Sequence, residues 1–301
     1  MNAAGQPVGS INVGFIGLGD MGAPMANNLI SNFSDGELKL TVFDIDLQAD
    51  KVPVNAVVAN TLADIAANCE VVFISVPDGT SSLAVVEGLL TQPNSMIKSV
   101  INLSTVGIEH CEKIVGSLPQ GAFDYIDAPV SGGKTGAINA TITIMWSGSE
   151  ALFNKLQSLL SAFAKSLFFV GAKPGQGQAL KLLNNYLSGV AMTATSEAIR
   201  FGLHHGLDLK TMLDVVHVST GQNTAISDKF PKRILTESYD AGFRMKLMEK
   251  DISLYRQGVA AAGVPSKIVD VVSPIWMQGV DEYPDGDFTE IFKVIDVEGG
   301  D

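Results

Sequence analysis

A glycine-rich hexapeptide near the start of the sequence has the spacing of a phosphate-binding turn. Gly17, Gly19 and Gly22 form the pattern G-x-G-x-x-G directly after the apolar run Ile11–Ile16. The first glycine allows a tight turn, the second lets the backbone approach a pyrophosphate, and the third lets helix and strand pack closely. The pattern predicts a dinucleotide site formed by Gly17, Leu18, Gly19, Asp20, Met21 and Gly22. We expect the Asp20 side chain to point to solvent, because a carboxylate facing inward would repel phosphate.

An aspartate ends the second apolar run and predicts which nucleotide binds. Asp44 follows Leu38–Phe43 and lies about 20 residues after the glycine turn, where a carboxylate bonds the ribose hydroxyls of NAD. The same carboxylate would repel the 2′-phosphate of NADP, and no arginine follows nearby. The sequence therefore favours NAD, with NADP the weaker ligand. The alternative is an aspartate that only forms a turn at the end of the strand.

A second small-residue motif, Ser131-Gly132-Gly133, has the composition of an anion site. Successive glycine amides can curl into an anion-binding nest, and the serine adds a hydroxyl donor, which suits a substrate carboxylate. From these residues alone, a plain turn after a strand is as good an interpretation as an anion site.

Lys181 and Asn185 stand four positions apart in a segment of helical periodicity, so they share one face of the predicted helix. The alternative is a surface lysine beside a polar patch. His204 and His205 are adjacent and point in different directions on a helix, and the two cysteines form no close pair, so we predict no metal site.

The elements that carry these motifs predict two different halves. In the first half, short apolar runs alternate with amphipathic segments, which implies right-handed crossovers and a mainly parallel sheet. The predicted strands are Ile11–Ile16, Leu38–Phe43, Val71–Val76, Val100–Leu103, Phe123–Ile126, Thr141–Trp146 and Leu167–Val170. We therefore predict an α/β fold, with a doubly wound Rossmann-type NAD-binding domain over residues 9–172.

After a cluster of glycines and a proline at residues 171–177, only helical periodicity continues. The predicted helices are Gln178–His204, Leu209–Val216, Met245–Ala262 and Ser266–Gln278. We assign residues 173–301 to an all-α substrate and dimerisation domain. A long apolar helix in so small a domain favours burial against a partner, so we expect a homodimer or homotetramer.

Composition excludes several classes of protein. The net charge of −12 disfavours binding to nucleic acid, and 46% hydrophobic residues are enough for a large core. Two cysteines in 301 residues indicate reduced thiols rather than a disulfide framework. Because Met1–Ser10 carries no apolar signal core and no run is long enough for a membrane span, we expect a cytoplasmic protein.

Four motifs in order resemble the β-hydroxyacid dehydrogenase family, the relatives of 3-hydroxyisobutyrate dehydrogenase and tartronate semialdehyde reductase, within a larger group that includes 6-phosphogluconate dehydrogenase. They are the stretch from Gly14 to Ala26, Asp127-Ala-Pro-Val-Ser-Gly-Gly133, Gly175-Gln-Gly177 with Lys181-Leu-Leu-Asn-Asn185, and Lys250-Asp251. The resemblance spans nearly the whole chain. One departure is Asn139-Ala140, which stands where the family generally has a glycine. Such departures leave the particular substrate open.

The resemblance implies roles for individual residues. Lys181 would be the catalytic acid/base, with Asn185 and the motif Ser131-Gly132-Gly133 binding the substrate. The residues implied beside the cofactor are Val76, Pro77, Thr105 and Lys250, although Lys250 could instead be a solvated helix lysine.

The implied reaction is hydride transfer between NAD and a small 3-hydroxy acid, similar to 3-hydroxyisobutyrate or to tartronate semialdehyde and glycerate. Two alternatives are an imine or ketone reductase of the same architecture and a non-catalytic nucleotide-binding scaffold. The first usually lacks the lysine and the Ser-Gly-Gly motif, and the second has no need of both Lys181 and Asn185.

Overall fold

The computed structural model describes residues 10–34 and 36–295. Contacts within the chain divide it into two compact units, one ending at Lys181 and the other beginning at Leu182. The predicted domain limits at residues 9 and 301, and all but the last residue of Met1–Ser10, lie outside the described residues. In the described ranges, no helix is long and apolar enough to cross a membrane.

The first unit is built on a nine-stranded sheet with the order β3-β2-β1-β4-β5-β6-β8-β7, to which β9 adds by pairing with β8. The six strands from β1 to β6 run parallel, whereas β8 runs antiparallel to β6 and β7 and parallel to β9. The strands are β1 Ile11–Ile16, β2 Leu38–Phe43, β3 Val57–Val58, β4 Val71–Ile74, β5 Ser99–Asn102, β6 Asp124–Asp127, β7 Val130–Ser131, β8 Ile142–Ser147 and β9 Ala164–Gly171. The predicted doubly wound α/β fold is confirmed.

The order in which strands are added to the sheet reverses at β1. The chain adds β2 and β3 on one side of β1 and then crosses to add β4, β5 and β6 on the other, with Ile16 in register with both Phe43 and Ile74. In open α/β sheets, ligands bind outside the carboxyl ends of the strands at such a switch point. The loops after β1 and β4 therefore form the expected ligand crevice.

Helices cover both faces of this sheet. Alternate residues of β1 therefore pack into two separate hydrophobic cores. Phe15 packs into one hydrophobic cluster and Ile16 into the other, as the two-residue period of a strand requires. The helices are α1 Gly22–Ser31, α2 Leu62–Asn68, α3 Gly79–Leu90, α4 Ile108–Ser117, α5 Gly133–Ile138 and α6 Glu150–Ser161, with a 3-10 turn at Ala49–Lys51.

The second unit is helical, as predicted. The 29-residue helix α7 (Gln176–His204) begins in the first unit and continues into the second. It is followed by α8 Leu209–His217, a π-helical segment Ala225–Ile234, α9 Met245–Ala262, α10 Lys267–Glu282, a 3-10 turn Phe288–Glu290 and α11 Ile291–Val294. The core of this unit surrounds the fully buried Trp276, whose Nε1 donates to Thr193 Oγ1 at 3.1 Å.

Candidate active site

The glycine turn after β1 is closed by tight backbone packing and open on one side. Gly17 has φ +94°, and a Cβ there would lie 2.1 Å from the Ser75 carbonyl oxygen. A Cβ on Gly22 would lie 1.9 Å from the Gly17 oxygen, whereas a Cβ on Gly19 would meet no atom within 4 Å. The turn thus has free space at Gly19, just before the start of α1, and its residues fit a pyrophosphate.

Asp44, the residue directly after β2, holds this turn through hydrogen bonds. Its Oδ2 accepts from the Leu18 backbone N–H at 2.6 Å, and its Oδ1 accepts from the Asp46 N–H at 2.9 Å. The second bond is the strand-end turn that sequence reasoning treated as the alternative. Each carboxylate oxygen keeps a further lone pair, so this turn is compatible with the predicted bond to a ribose hydroxyl.

Asp20 lies at the outer side of the turn, about half exposed, with Oδ1 3.7 Å from Nζ of Lys134. Lys134 follows the Ser131-Gly132-Gly133 motif directly, so this contact connects the two motifs across the surface of the first unit. An exposed pair at this distance contributes little stability. Met21 is half-buried and packs against the core beside the turn.

The loops after β4 and β5 are joined by side-chain hydrogen bonds. The Val76 N–H donates to Ser104 Oγ at 2.9 Å, and the Ser104 N–H donates to Asn102 Oδ1 at 3.0 Å. These bonds fix the backbone at Val76 and at Ser104, the residue before Thr105. Pro77 is exposed and Thr105 is half-buried.

The Ser-Gly-Gly motif forms the junction between β7 and α5. Ser131 is half-buried at the end of the strand, and Gly132 and Gly133 have φ +134° and +61°. A Cβ on Gly132 would lie 3.2 Å from Ile142 Cα in the neighbouring strand. The turn therefore depends on glycine for its backbone as well as for any open amide.

Lys181 and Asn185 are both 6% exposed on consecutive turns of α7. In the second unit, Asn185 Nδ2 donates to Asp251 Oδ2 at 2.5 Å, and Asn185 Oδ1 accepts from Asn184 at 3.1 Å. The buried carboxylate of Asp251 also lies 3.4 Å from Nζ of Lys250. Asp251 thus contacts two of the predicted residues, Asn185 and Lys250.

Sequence reasoning assigned no role to three buried polar residues that surround these motifs. Asp251 was visible only as the neighbour of Lys250, and Asp127 only as the first residue of a motif. Gln178 follows the Gly175-Gln-Gly177 motif and is fully buried, like Asp127. The only local signal for Asp127 and Gln178 was their position next to glycine-rich segments.

The two thiols are not candidates for chemistry. Cys69 and Cys111 are buried free cysteines, and burial raises the pKa of both thiols, which keeps them protonated. Over the part of the chain that is described, no group of three or more His, Cys, Asp or Glu side chains is arranged to hold a metal ion.

Two family models together match almost the whole chain. Residues 12–171 match the NAD binding domain of 6-phosphogluconate dehydrogenase. Residues 175–295 match the model described as NAD-binding of NADP-dependent 3-hydroxyisobutyrate dehydrogenase.

Curated relatives and solved structures give the same picture. The chain is 33% identical over 280 residues to 2-(hydroxymethyl)glutarate dehydrogenase of Eubacterium barkeri, covering 90% of this chain and 89% of that one. It is 30% identical over 299 residues to NAD-dependent L-serine dehydrogenase of Pseudomonas aeruginosa, covering 94% and 97%.

Among solved structures, 3-hydroxyisobutyrate dehydrogenase of Mycobacterium tuberculosis with L-serine matches with a TM-score of 0.86 and 26% identity, covering 96% of this chain and all of that one. An imine reductase from Pseudomonas sp. shares the fold alone, with a TM-score of 0.60 and 17% identity over 95% of this chain and all of that one.

Proposed function

This chain belongs to the β-hydroxyacid dehydrogenase family, and from that premise we propose that Lys181 is the general acid/base of an NAD-linked oxidation of a small 3-hydroxy acid. The chain is an oxidoreductase that acts on the CH–OH group of hydroxy acids and uses NAD. The roles of individual residues are our proposal. The observation that carries it is the burial of Lys181, a lysine removed from water on the same helix face as Asn185.

The relatives share one substrate chemistry. The names 3-hydroxyisobutyrate, L-serine and 2-(hydroxymethyl)glutarate all describe a primary alcohol on the carbon next to the one that bears a carboxylate. Glycerate, the acid that corresponds to 2-hydroxy-3-oxopropionate, has the same arrangement. We propose a 2-substituted 3-hydroxypropanoate as the substrate, with its carboxylate bound by Ser131 and the amides of Gly132 and Gly133.

NAD, when bound, supplies the acceptor for the hydride that leaves the alcohol carbon. As a neutral amine, Lys181 takes the hydroxyl proton during oxidation, and as an ammonium it returns a proton to the carbonyl oxygen during reduction. Asn185, whose Nδ2 donates to the buried carboxylate of Asp251, orients the substrate. Because only the neutral amine can accept a proton, we expect the rate of oxidation to rise with pH.

We propose that the cofactor lies against the glycine turn, with Asp44 on the ribose and with Val76, Pro77, Thr105 and Lys250 as further contacts. Support comes from the open space at Gly19 and from the spare lone pairs of Asp44. We keep residues 9–172 as the cofactor domain and 173–301 as the substrate and dimerisation domain.

Family membership favours hydroxy-acid oxidation over the two alternatives. The imine reductase shares only the fold, at 17% identity, whereas hydroxy-acid dehydrogenases reach 33%. A non-catalytic scaffold gains nothing from keeping Lys181 buried, because removing a charged side chain from water is costly.

We also propose a homodimer or homotetramer located in the cytoplasm. Several large apolar side chains on α7, α8 and α10 are exposed, and a cavity of about 650 Å³ lies among α7, α8 and the segment that follows. A second copy of the chain would cover these surfaces. The two buried, unpaired thiols suit a reducing compartment.

The decisive test replaces Lys181. Lys181→Ala should lower kcat by about 10²–10⁴-fold with little change in the dissociation constant of NAD, because the lost contribution is proton transfer. Lys173→Ala, a change at an exposed lysine, serves as the control and should keep wild-type turnover. Rates are measured on a panel of 2-substituted 3-hydroxypropanoates and on the matching uncharged alcohols.

Two outcomes would contradict the proposal. A folded, NAD-binding Lys181→Ala protein with near wild-type turnover would remove the acid/base assignment. Equal turnover of an acid and its uncharged alcohol analogue would remove the carboxylate site.

A further inference from the structure

A fully buried polar cluster lies where α7 begins. It consists of Asp127, Ser147 and Gln178, each with no exposed surface, and we call it the anchor cluster. Asp127 ends β6, Ser147 ends β8, and Gln178 lies in the first turn of α7. All three residues belong to the first unit.

The carboxylate of Asp127 caps α7 across a long separation in sequence. Its Oδ2 accepts from the backbone N–H groups of Gly175 at 3.0 Å and Gln178 at 2.9 Å, and from Ser147 Oγ at 3.0 Å. Its Oδ1 accepts from Gln178 Nε2 at 2.5 Å. Burial raises the pKa of Asp127, while the hydrogen bonds from Gln178, Ser147 and Gly175 act in the opposite direction.

Gln178 continues the network into the loop after β5. Its Oε1 accepts from the N–H groups of Val106 at 2.8 Å and Gly107 at 3.0 Å, and its Nε2 also donates to the Ser104 carbonyl oxygen at 3.0 Å. This loop contains Thr105. The side-chain amide therefore has a partner for both its oxygen and its nitrogen.

The helix can approach the strands this closely only because residue 177 is glycine. A Cβ on Gly177 would lie 2.6 Å from the Met145 carbonyl oxygen and 2.9 Å from Asp127 Oδ2. The Gly177 N–H donates to Ser147 Oγ at 2.9 Å. The first turn of α7 is thus held directly against the ends of β6 and β8.

Three functional segments therefore meet at one network. Asp127 begins the segment that leads to Ser131, Gln178 lies one helical turn before Lys181, and the loop that Gln178 holds contains Thr105. Hydrogen bonds are directional, so they fix the rotation and the axial position of a helix more narrowly than apolar packing does.

Building on the proposed function, we propose that Asp127 and Gln178 are positioning residues that set the register of Lys181 against the Ser131 turn and the Thr105 loop. Apolar side chains of the same size would fill this volume without burying a carboxylate, which makes a role in stability alone a poor explanation. A misplacement of about 1 Å can cost roughly 10²-fold in rate.

Exchanging the carboxylate of Asp127 and the amide of Gln178 tests this positioning role. In Asp127→Asn, the new NH2 group faces Gln178 Nε2, and turning the glutamine amide over would aim its NH2 at the N–H groups of Val106 and Gly107. In Gln178→Glu, two carboxylates face each other. The double variant Asp127→Asn/Gln178→Glu restores a donor–acceptor pair with unchanged net charge. It also replaces the donor to the Ser104 carbonyl oxygen with a carboxylate oxygen, so the rescue should be substantial but incomplete.

Each single variant should lose about 10–100-fold in kcat with a smaller change in KM, and the double variant should return to within about 5-fold of wild type. Hydrogen exchange of residues 175–181 should speed up in the single variants and slow again in the double variant. Thr193→Val removes a buried hydrogen bond in the second unit and serves as the control, with a lower Tm and wild-type kcat.

Multiplicative losses in the double variant, or single variants that lower Tm but keep wild-type kcat, would overturn the proposal. If the single variants do not fold, Ser147→Ala decides: a several-fold loss of kcat at constant KM supports positioning, and wild-type kcat refutes it. Lys181→Ala is measured in parallel. Retained turnover in this variant refutes the proposed function. Lost turnover in Lys181→Ala, together with wild-type turnover in the variants of the anchor cluster, refutes only the positioning role.

Discussion

A single carboxylate, that of Asp44, links the glycine turn to the turn after β2. It accepts from the Leu18 N–H inside the glycine turn and from the Asp46 N–H in the turn after β2. Any ligand that bonds Asp44 is therefore coupled to the shape of the glycine turn. Replacing this residue should change both the choice of cofactor and the strength with which either cofactor binds.

We expect Asp44→Arg to narrow or reverse the preference for NAD over NADP, because it removes the repulsion of a 2′-phosphate and adds an attractive charge. Asp44→Ser should narrow the preference and weaken binding of both cofactors, since the Leu18 N–H loses a charged acceptor. Dissociation constants for NAD and NADP measure both effects. Asp50→Ser, at an exposed residue beyond this turn, is the control and should keep the preference. Wild-type protein that bound NADP as tightly as NAD would refute the assignment of Asp44.

The backbone at Ala140, one of the departures from the family pattern, is in a strained conformation. It has φ +53°, in the left-handed region that favours glycine, and it stands where the family generally has glycine. Ala140→Gly should raise the free energy of unfolding by about 0.5–1 kcal/mol, the relieved strain less the added entropy of the unfolded chain. Ala84→Gly, at an exposed position in the middle of α3, should lower it by about 1 kcal/mol. Urea denaturation compares the two, and a destabilised Ala140→Gly would contradict the strain.

At the scale of single residues, the site residues that could be predicted from the sequence are those whose partners lie close to them in the chain. Lys181 and Asn185 lie four apart on one helix, so spacing brought them together. Asp251 and Asn185 are 66 positions apart, and Gln178 and Asp127 are 51 apart. Pairs this distant depend on how the chain folds back, which a single sequence does not contain.

Among the elements, long helices and the six-residue strands β1 and β2 were predicted well, whereas the two-residue strands were not predicted. Helix α9 has the predicted limits Met245–Ala262, and α7 begins only two residues before the prediction. The strand predicted as Val71–Val76 ends at Ile74, because the Val76 N–H bonds the Ser104 side chain instead of a neighbouring strand. Strands β3 and β7 have two residues each, too few to show any alternation.

Helix α2 begins with a capping box whose strength should depend on pH. Thr61 accepts from the Asp64 N–H, and Asp64 accepts from the N–H groups of Asn60 and Thr61. These backbone hydrogen bonds lower the pKa of Asp64. A carboxyl with a lowered pKa stabilises the fold above its ordinary pKa, and that contribution disappears as the pH falls through the lowered value.

Thr61→Ala should therefore lower the free energy of unfolding by about 1 kcal/mol at neutral pH. The difference from wild type should shrink as the pH falls below the ordinary pKa of an aspartate, ~3.9, and through the lowered pKa of Asp64. Thr61→Ser keeps the oxygen and should stay close to wild type. Chemical denaturation at several pH values provides the comparison. A difference that grew on acidification would show that the box does not act through the ionised Asp64.

Across the whole molecule, composition and the change of periodicity near residue 172 were enough to predict an α/β half followed by a helical half. They could not show which apolar positions stay exposed, because helical periodicity marks an apolar face without showing what packs on it. The structure leaves Phe201 on α7 68% exposed and Val215 on α8 57% exposed. Both line the cavity of about 650 Å³ in the second unit.

If a second copy of the chain covers this surface, a charge placed on it should separate the copies. Phe201→Glu replaces a large apolar contact with a carboxylate that must lose water on association, and a loss of about 2 kcal/mol raises the dissociation constant by roughly 30-fold. Light scattering coupled to size exclusion, over a dilution series, should show wild type as a dimer or tetramer and Phe201→Glu at lower mass. Val54→Glu is the control, since Val54 is 78% exposed in the first unit and should leave the mass unchanged. A monomeric wild type at micromolar concentration would refute the oligomer, and equal masses for wild type and Phe201→Glu would move the interface away from α7.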